Sequence, residues 1–180
     1  PPVRTSRQLW IDSGLDLLAT EGPGAVRVEV LAQRLGVTRG GFYRQFGGRA
    51  ELVDAMLDAW EQRSTDDVRR RVEAEGGDAA GKARKAGMLT FAPDLLPIDL
   101  AVREWARRDA KVAARLRRVD NRRMDYLREL ISTLSGDAGD VEARAMLAFS
   151  LVIGDHLIAA DRLVGGRARV LRDATRLILG

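Results

Sequence analysis

Arg39, Tyr43 and Arg44 are the side chains in this sequence best placed to do chemistry. They fall in residues 31–46, LAQRLGVTRGGFYRQF, where two guanidiniums and a phenol share the outer side of one short helical run. Such a face at a helix N-terminus suits phosphates and major-groove base edges. Other chemistries find less support. Cysteine is absent, which removes disulfides, thiolate metal sites and cysteine nucleophiles. The single histidine, His156, follows Asp155 and comes six residues after Ser150. Neighbours on a helix point about 100° apart, so these three do not converge into a hydrolytic set. A capped or interface histidine is the better reading. There is no glycine-rich phosphate loop, paired-histidine metal motif or nucleophile elbow. Neither an enzymatic activity nor a cofactor or metal is expected.

The elements that hold those side chains can be read from spacing. Leu31, Ala32 and Leu35 recur at one-turn intervals, Gly36-Val37 breaks the run, and Thr38 opens a second one ending in Phe42 and Phe46. This predicts a helix, a tight turn and a helix. Gly36 suits the left-handed turn, and Thr38 is positioned to cap the new helix with its hydroxyl. Phe42 and Phe46 lie four apart on one face and dock inward with Val37, leaving Arg39, Tyr43 and Arg44 outside. Ahead of this unit, Leu9-Trp10, Ser13-Gly14 and Leu17-Leu18 mark one face of a helix over residues 7–21, ended by Gly22-Pro23-Gly24. Gly14 costs that helix roughly 1 kcal/mol against alanine, so close packing against another helix is its expected reason. Residues 1–6 form a short arm in which Arg4 is either a phosphate or minor-groove contact or a solvated side chain.

At GVTRGGFYRQFGGRAEL the sequence resembles the recognition helix and following turn of the TetR family of bacterial transcriptional regulators. The family pattern is Gly-Val-Ser/Thr-x-Gly-x-hydrophobic-Tyr-x-x-Phe followed by a Lys/Arg-x-Glu-Leu helix start. Four positions depart from it: Arg27 replaces a usual threonine, Val30 an acid, Gly41 a threonine or serine, and Gln45 a histidine. The second helix, from Val28, therefore lacks a side-chain cap, and Arg27 becomes a candidate DNA contact. The candidate set is Arg27, Thr38, Arg39, Gly40, Gly41, Tyr43, Arg44, Gln45 and Arg49. Tyr43 either gives its hydroxyl to a phosphate or covers Phe42, and its outward position favours the phosphate. Arg39 and Arg44 are either solvated surface or DNA contacts, Arg39 to a base and Arg44 to a phosphate or a base. Two glycines in so short a helix imply a close approach by DNA or by the second helix, with DNA favoured only at Gly41.

Gly48 and Glu51 read as the ends of a capping box opening the next helix. Arg49 sits in its first turn, where the helix dipole disfavours a cation, and a nearby phosphate would explain it. Val53, Met56-Leu57, Trp60, Ser64, Val68 and Val72 then trace one stripe, predicting a single long helix over residues 49–75. Residues 76–87 read as a loop and a weak helix, and 88–100 as an apolar corner set by Pro93 and Pro97. Helices are expected over 97–108, 110–134, 141–164 and 167–179.

The family resemblance implies an all-α protein of two domains. Residues 1–48 would form a three-helix helix-turn-helix DNA-binding domain, and 49–180 a helical effector-binding and dimerisation domain. It implies a regulator, most simply a repressor released from double-stranded operator DNA by a small-molecule effector. Pocket candidates are Trp60, Met88, Phe91, Trp105, Arg123, Met124 and Tyr126, each of which also reads as plain core. Arg122 and Arg123 interrupt the apolar stripe of their helix, as a surface ion pair or an anchor for an anion. A homodimer is implied with Leu151, Asp155, Ile158, Val170, Leu171 and Leu177 in its interface. The alternatives are DNA binding without ligand control, and a helical enzyme or scaffold. Residues 1–49 carry seven arginines against four acids, so the basic excess sits where a polyanion would bind. No apolar run approaches the ~20 residues that cross a bilayer, and no charged-then-apolar signal segment opens the sequence. A cytoplasmic location, away from membranes, is expected.

Overall fold

The computed structural model describes residues 6–180, so Arg4 lies outside the described residues. All regular structure among them is helical: α1 (Arg7–Glu21), a one-turn 3₁₀ helix (Pro23–Ala25), α2 (Val28–Arg34), α3 (Arg39–Tyr43), α4 (Arg49–Ser64), α5 (Asp66–Glu75), α6 (Ala79–Thr90), α7 (Leu96–Ala106), α8 (Ala110–Ile131), α9 (Ala138–Leu157) and α10 (Arg167–Leu179). The chain packs as two compact units. The first runs to Asp66 and resumes over Ala92–Val119; the second comprises Asp67–Phe91 and Asp120–Gly180.

In the first unit, α1 is the central post. Ser6 caps it by accepting a bond from the Leu9 N–H at 3.3 Å, and Gly22 ends it with a φ of 82°. Its buried face carries Trp10, Leu15, Leu17 and Leu18 into a core with Leu31, Phe42, Phe46, Met56 and Trp60. A β-carbon at Gly14 would lie 2.6 Å from the Met56 sulfur, so the absent side chain is what lets α1 and α4 approach. From the second stretch, Ile98, Val102, Val112 and Val119 join the same core. Packing therefore does not part the chain at residue 48, because α4 shares the core of the helices before it.

The expected long helix over 49–75 is two helices. It stops at Thr65, whose backbone leaves the helical region at φ −128° and ψ −76°. The hydroxyls of Ser64 and Thr65 both turn back onto carbonyls one turn earlier, Trp60 at 2.5 Å and Glu61 at 2.6 Å. Such back-bonding bends helices, and here the ladder gives way. The 76–87 segment is more helical than expected. Asp78 caps α6 by accepting the Gly81 N–H at 2.7 Å, and the helix continues through Thr90.

In the second unit Val68, Val72, Ala83, Ala86, Leu127, Leu130, Ile131, Ala145 and Leu179 form the core. The Tyr126 hydroxyl donates to Glu73 at 2.7 Å, and Lys82 holds the other oxygen of that carboxylate at 2.5 Å. Burial and the adjacent Glu73 carboxylate push the Tyr126 phenol well above its ordinary range. α9 begins three residues earlier than expected, capped by Asp137 through the Gly139 N–H at 3.0 Å. It ends at Leu157, well short of residue 164. Arg167 accounts for the early stop: its guanidinium donates to the carbonyls of Asp155 at 2.8 Å, Ile158 at 2.7 Å and Ala160 at 2.8 Å, satisfying the orphaned end.

Candidate nucleic-acid interface

α2 and α3 meet through the turn predicted at Gly36, whose φ is 64°. Thr38 stands at the N-cap of α3 with extended backbone, and its carbonyl accepts the Gly41 N–H at 3.0 Å. Its hydroxyl makes no capping bond, contrary to expectation. Arg27 likewise occupies the uncapped start of α2, as the departure at that position implied. The regular part of α3 is only five residues, so its orientation depends on tertiary contacts rather than on helix propensity.

Those contacts are on the inner face. Phe42 is fully buried, edge-on to Trp10 with centroids 5.3 Å apart, and stacks on Phe46 at 5.2 Å. Its principal aromatic partner outside the motif is thus on α1. Arg7, unassigned by sequence, secures the far end: it lies 4.1 Å above the Phe46 ring, donates to the Gln45 carbonyl and pairs with Glu51 at 3.0 Å. Glu51 also accepts the Gly47 N–H at 2.7 Å, one residue earlier than a capping box on Gly48 requires. That bond, followed by the Arg7 guanidinium, holds the Glu51 carboxyl below its usual range.

The outer face is open. Tyr43 is 60% exposed, resting edge-on against Phe42, so it covers the ring and still presents its hydroxyl outward. Thr38, Arg39, Gly40 and Arg44 are exposed, while Gly41 and Gln45 are half-buried. A β-carbon at Gly40 would meet only the Thr38 hydroxyl oxygen at 3.7 Å, and one at Gly41 only the edge of Trp10 at 3.9 Å. Packing against the second helix is therefore not the reason for either glycine. Arg39 pairs with Glu29 at 3.2 Å across the turn. The Glu29 carboxyl is held low by its own backbone N–H first and by Arg39 second.

Arg49, among the DNA candidates, also has partners within the protein. Its guanidinium donates to the Val26 carbonyl at 2.5 Å and the Pro23 carbonyl at 2.9 Å, clamping the 3₁₀ turn before α2. These carbonyls, rather than a phosphate, explain a cation in the first turn of α4. Arg7 occupies the same disfavoured position in α1, so the signal that marked Arg49 also marks Arg7.

The seven pocket candidates are divided between the two units. Trp60 and Trp105 belong to the packing of the first unit. Phe91, Arg123, Met124 and Tyr126 belong to the second, where the Arg123 guanidinium lies 5.5 Å from the Phe91 ring and pairs with Asp120 at 3.2 Å. Met88 is 75% exposed: Ala83, Ala86 and Thr90 take the inner face of α6, and Met88 lies about 200° round from Ala86. Of the interface candidates, Ile158 and Leu177 are exposed, and Leu151, Val170 and Leu171 are half-buried. Asp155 is engaged by Arg167 at 2.8 Å. Met146, Leu147 and Leu157 add to the open apolar surface of α9. Among the described residues no three histidine, aspartate or glutamate side chains gather as metal ligands, and no helix is long and apolar enough to cross a membrane.

Residues 11–56, the segment that builds this helix-turn-helix, match the profile of the bacterial regulatory proteins, tetR family. The helix-turn-helix segment is thus of the TetR type. A curated relative, the HTH-type transcriptional regulator TtgW of Pseudomonas putida, is 33% identical over 55 residues. The aligned part is 31% of this chain and spans 41% of that relative's length. Beyond this segment the likeness to TetR proteins is one of fold. The TetR family regulator PfmR of Thermus thermophilus superposes with a TM-score of 0.68 at 17% identity, covering 97% of this chain and 96% of that one. AibR, solved with isovaleryl coenzyme A and operator DNA, gives 0.69 at 15% identity, with 96% and 97% covered. A regulator of Saccharomonospora viridis solved with choline gives 0.70 at 18%, with 96% and 92% covered. The TetR architecture, a helix-turn-helix domain followed by a helical domain, thus extends over nearly the whole chain.

Proposed function

We propose that this protein is a DNA-binding transcriptional regulator, a repressor that a small molecule releases from its operator. The observation that carries the reading is the division of α3 into two faces. Phe42 anchors one face, while Thr38, Arg39, Tyr43 and Arg44 stand exposed on the other. A surface of this kind reads bases and phosphates together. In this proposal residues 1–48 do the reading, and α9 and α10 pair with those of a second copy, presenting two recognition helices to half-sites about 34 Å apart or a multiple of it. The apolar surface left open on α9 and α10 supports pairing. The effector would be taken up in the second unit near Phe91, Arg123, Met124 and Tyr126; the neighbours solved with isovaleryl coenzyme A and with choline support a ligand of some kind. Control without a ligand is the second reading, favoured by the burial of Met124 and by the use of the Tyr126 hydroxyl on Glu73.

The test is binding to fragments of the DNA upstream of the protein's own coding region at two salt concentrations. Wild type is compared with a Tyr43→Phe, Arg44→Ala double variant. Selective binding that weakens with salt in wild type and is lost in the folded double variant supports the reading. A flat salt response, or equal binding by the variant, sinks it.

A further inference from the structure

Part of the positive charge around the reading surface is engaged within the protein. Of the arginines described over residues 6–49, Arg7, Arg39 and Arg49 are engaged within the protein. Only Arg27, Arg34 and Arg44 have neither an ion pair nor a side-chain hydrogen bond among the described residues. Proteins that hold duplex DNA commonly neutralise about 6–10 phosphates. In a dimer these three arginines make six, at the low end of that range, which leaves room for cations elsewhere in the same unit to add to the grip.

They are concentrated at the junction of α7 and α8. Residues 103–118, REWARRDAKVAARLRR, hold seven bases and two acids, the densest basic stretch of the first unit. Arg107 and Arg108 are 79% and 80% exposed at the side chain and share the single acid Glu104, at 3.9 Å and 3.0 Å. Lys111 is exposed with no ion pair among the described residues. Ion pairs fix where this junction lies. Arg115 meets Asp54 at 3.6 Å and also Asp58, and Arg118 grips Glu61 through two bonds of 2.8 Å and 2.7 Å. Rising numbers match rising numbers, so α8 runs alongside α4 in the same direction. Lys111, one turn before Arg115, is therefore level with about Asp54, in the half of α4 nearer its N-terminus. That is the end of α4 at which the recognition helix arrives through Gly47 and Gly48.

We propose that Arg107, Arg108 and Lys111 form a second DNA-backbone contact, gripping phosphates beside the half-site that α3 reads. The contact adds affinity and salt dependence without sequence preference, because phosphates are common to all sites. This inference rests on the DNA-binding reading above.

The experiment measures binding against salt for a duplex carrying the site that wild type protects upstream of its own coding region, and for a scrambled duplex of equal length. The variant is Arg107→Gln, Arg108→Gln, Lys111→Gln. Its control removes the same charge from exposed positions of the second unit, Arg70→Gln, Arg71→Gln, Arg84→Gln. The first variant is expected to lower the slope of log affinity against log salt by about five, at roughly 0.9 for each of the six phosphates that a dimer no longer neutralises. Its preference for the specific duplex stays within about twofold, and the control keeps the wild-type slope. An unchanged slope in the first variant, or an equal drop in the control, overturns the second contact while leaving the regulator reading intact. A wild type without selective binding overturns both.

Discussion

Gly14, one turn from Trp10 in α1, and the pair Gly40-Gly41, whose second member faces the edge of that ring, are helical glycines that exist for different reasons. At Gly14 the space of a side chain is filled by the Met56 sulfur, only 2.6 Å from where a β-carbon would sit. At Gly40 and Gly41 the nearest atoms are 3.7 Å and 3.9 Å away, and no neighbouring helix claims the room. One glycine serves the fold; Gly40 leaves bare backbone on the exposed face, and Gly41, half-buried, leaves room beside Trp10. The arginines divide in the same way, with Arg49 tied to two carbonyls and Arg44 without a partner among the described residues.

The strongest way to break this comparison is at Gly14. Gly14→Ala is expected to cost about 1–3 kcal/mol by overpacking, and Gly14→Val more, seen as a lower urea midpoint. A midpoint unchanged in both would mean that the α1–α4 contact is slack. Arg49→Ala comes next, leaving two carbonyls without their donor at a cost of about 1–2 kcal/mol. Arg44→Ala, by contrast, should leave unfolding within about 0.5 kcal/mol of wild type and weaken DNA binding about tenfold. Reduced stability in Arg44→Ala would erase the distinction between the two arginines. Gly41→Ala should raise stability by up to about 1 kcal/mol and lower DNA affinity, a pairing of signs that a structural glycine does not give.

The smallest effect is in acid. The Glu51 carboxyl is held low by the Gly47 N–H and by Arg7, so its contribution is present above the unfolded value and is lost as pH falls through the lower folded one. Glu51→Gln should therefore flatten the loss of stability below about pH 4.3, read by thermal melts, and a limb as steep as wild type would count against that carboxylate.

Local pattern made the first unit legible because its signals are short-range: Gly36 needs a left-handed turn, and Phe42 and Phe46 are four apart. What escaped were partners brought from far along the chain. Arg7 reaches Glu51 and Arg49 reaches Pro23, and neither pairing leaves a trace in periodicity, although a cation in a helix's first turn hints at both. The break at Thr65 was invisible for another reason. Met56, Trp60, Ser64, Val68 and Val72 keep a spacing of four across it, so the stripe looks continuous while the backbone is not. Met88 misled in the opposite direction, being apolar in the sequence and exposed on α6. The pocket candidates were the least legible, because burial in a core and lining a cavity draw on the same residue types.

The five residues of α3 are held from outside, by Trp10 against Phe42 and by Arg7 against Gln45 and Phe46. A reading head mounted in this way does not depend on its outward residues for its own posture. Positions 39, 40 and 44 are thus open to exchange with little effect on folding, so target preference can drift, or be reprogrammed by a randomised library, on an unchanged chassis.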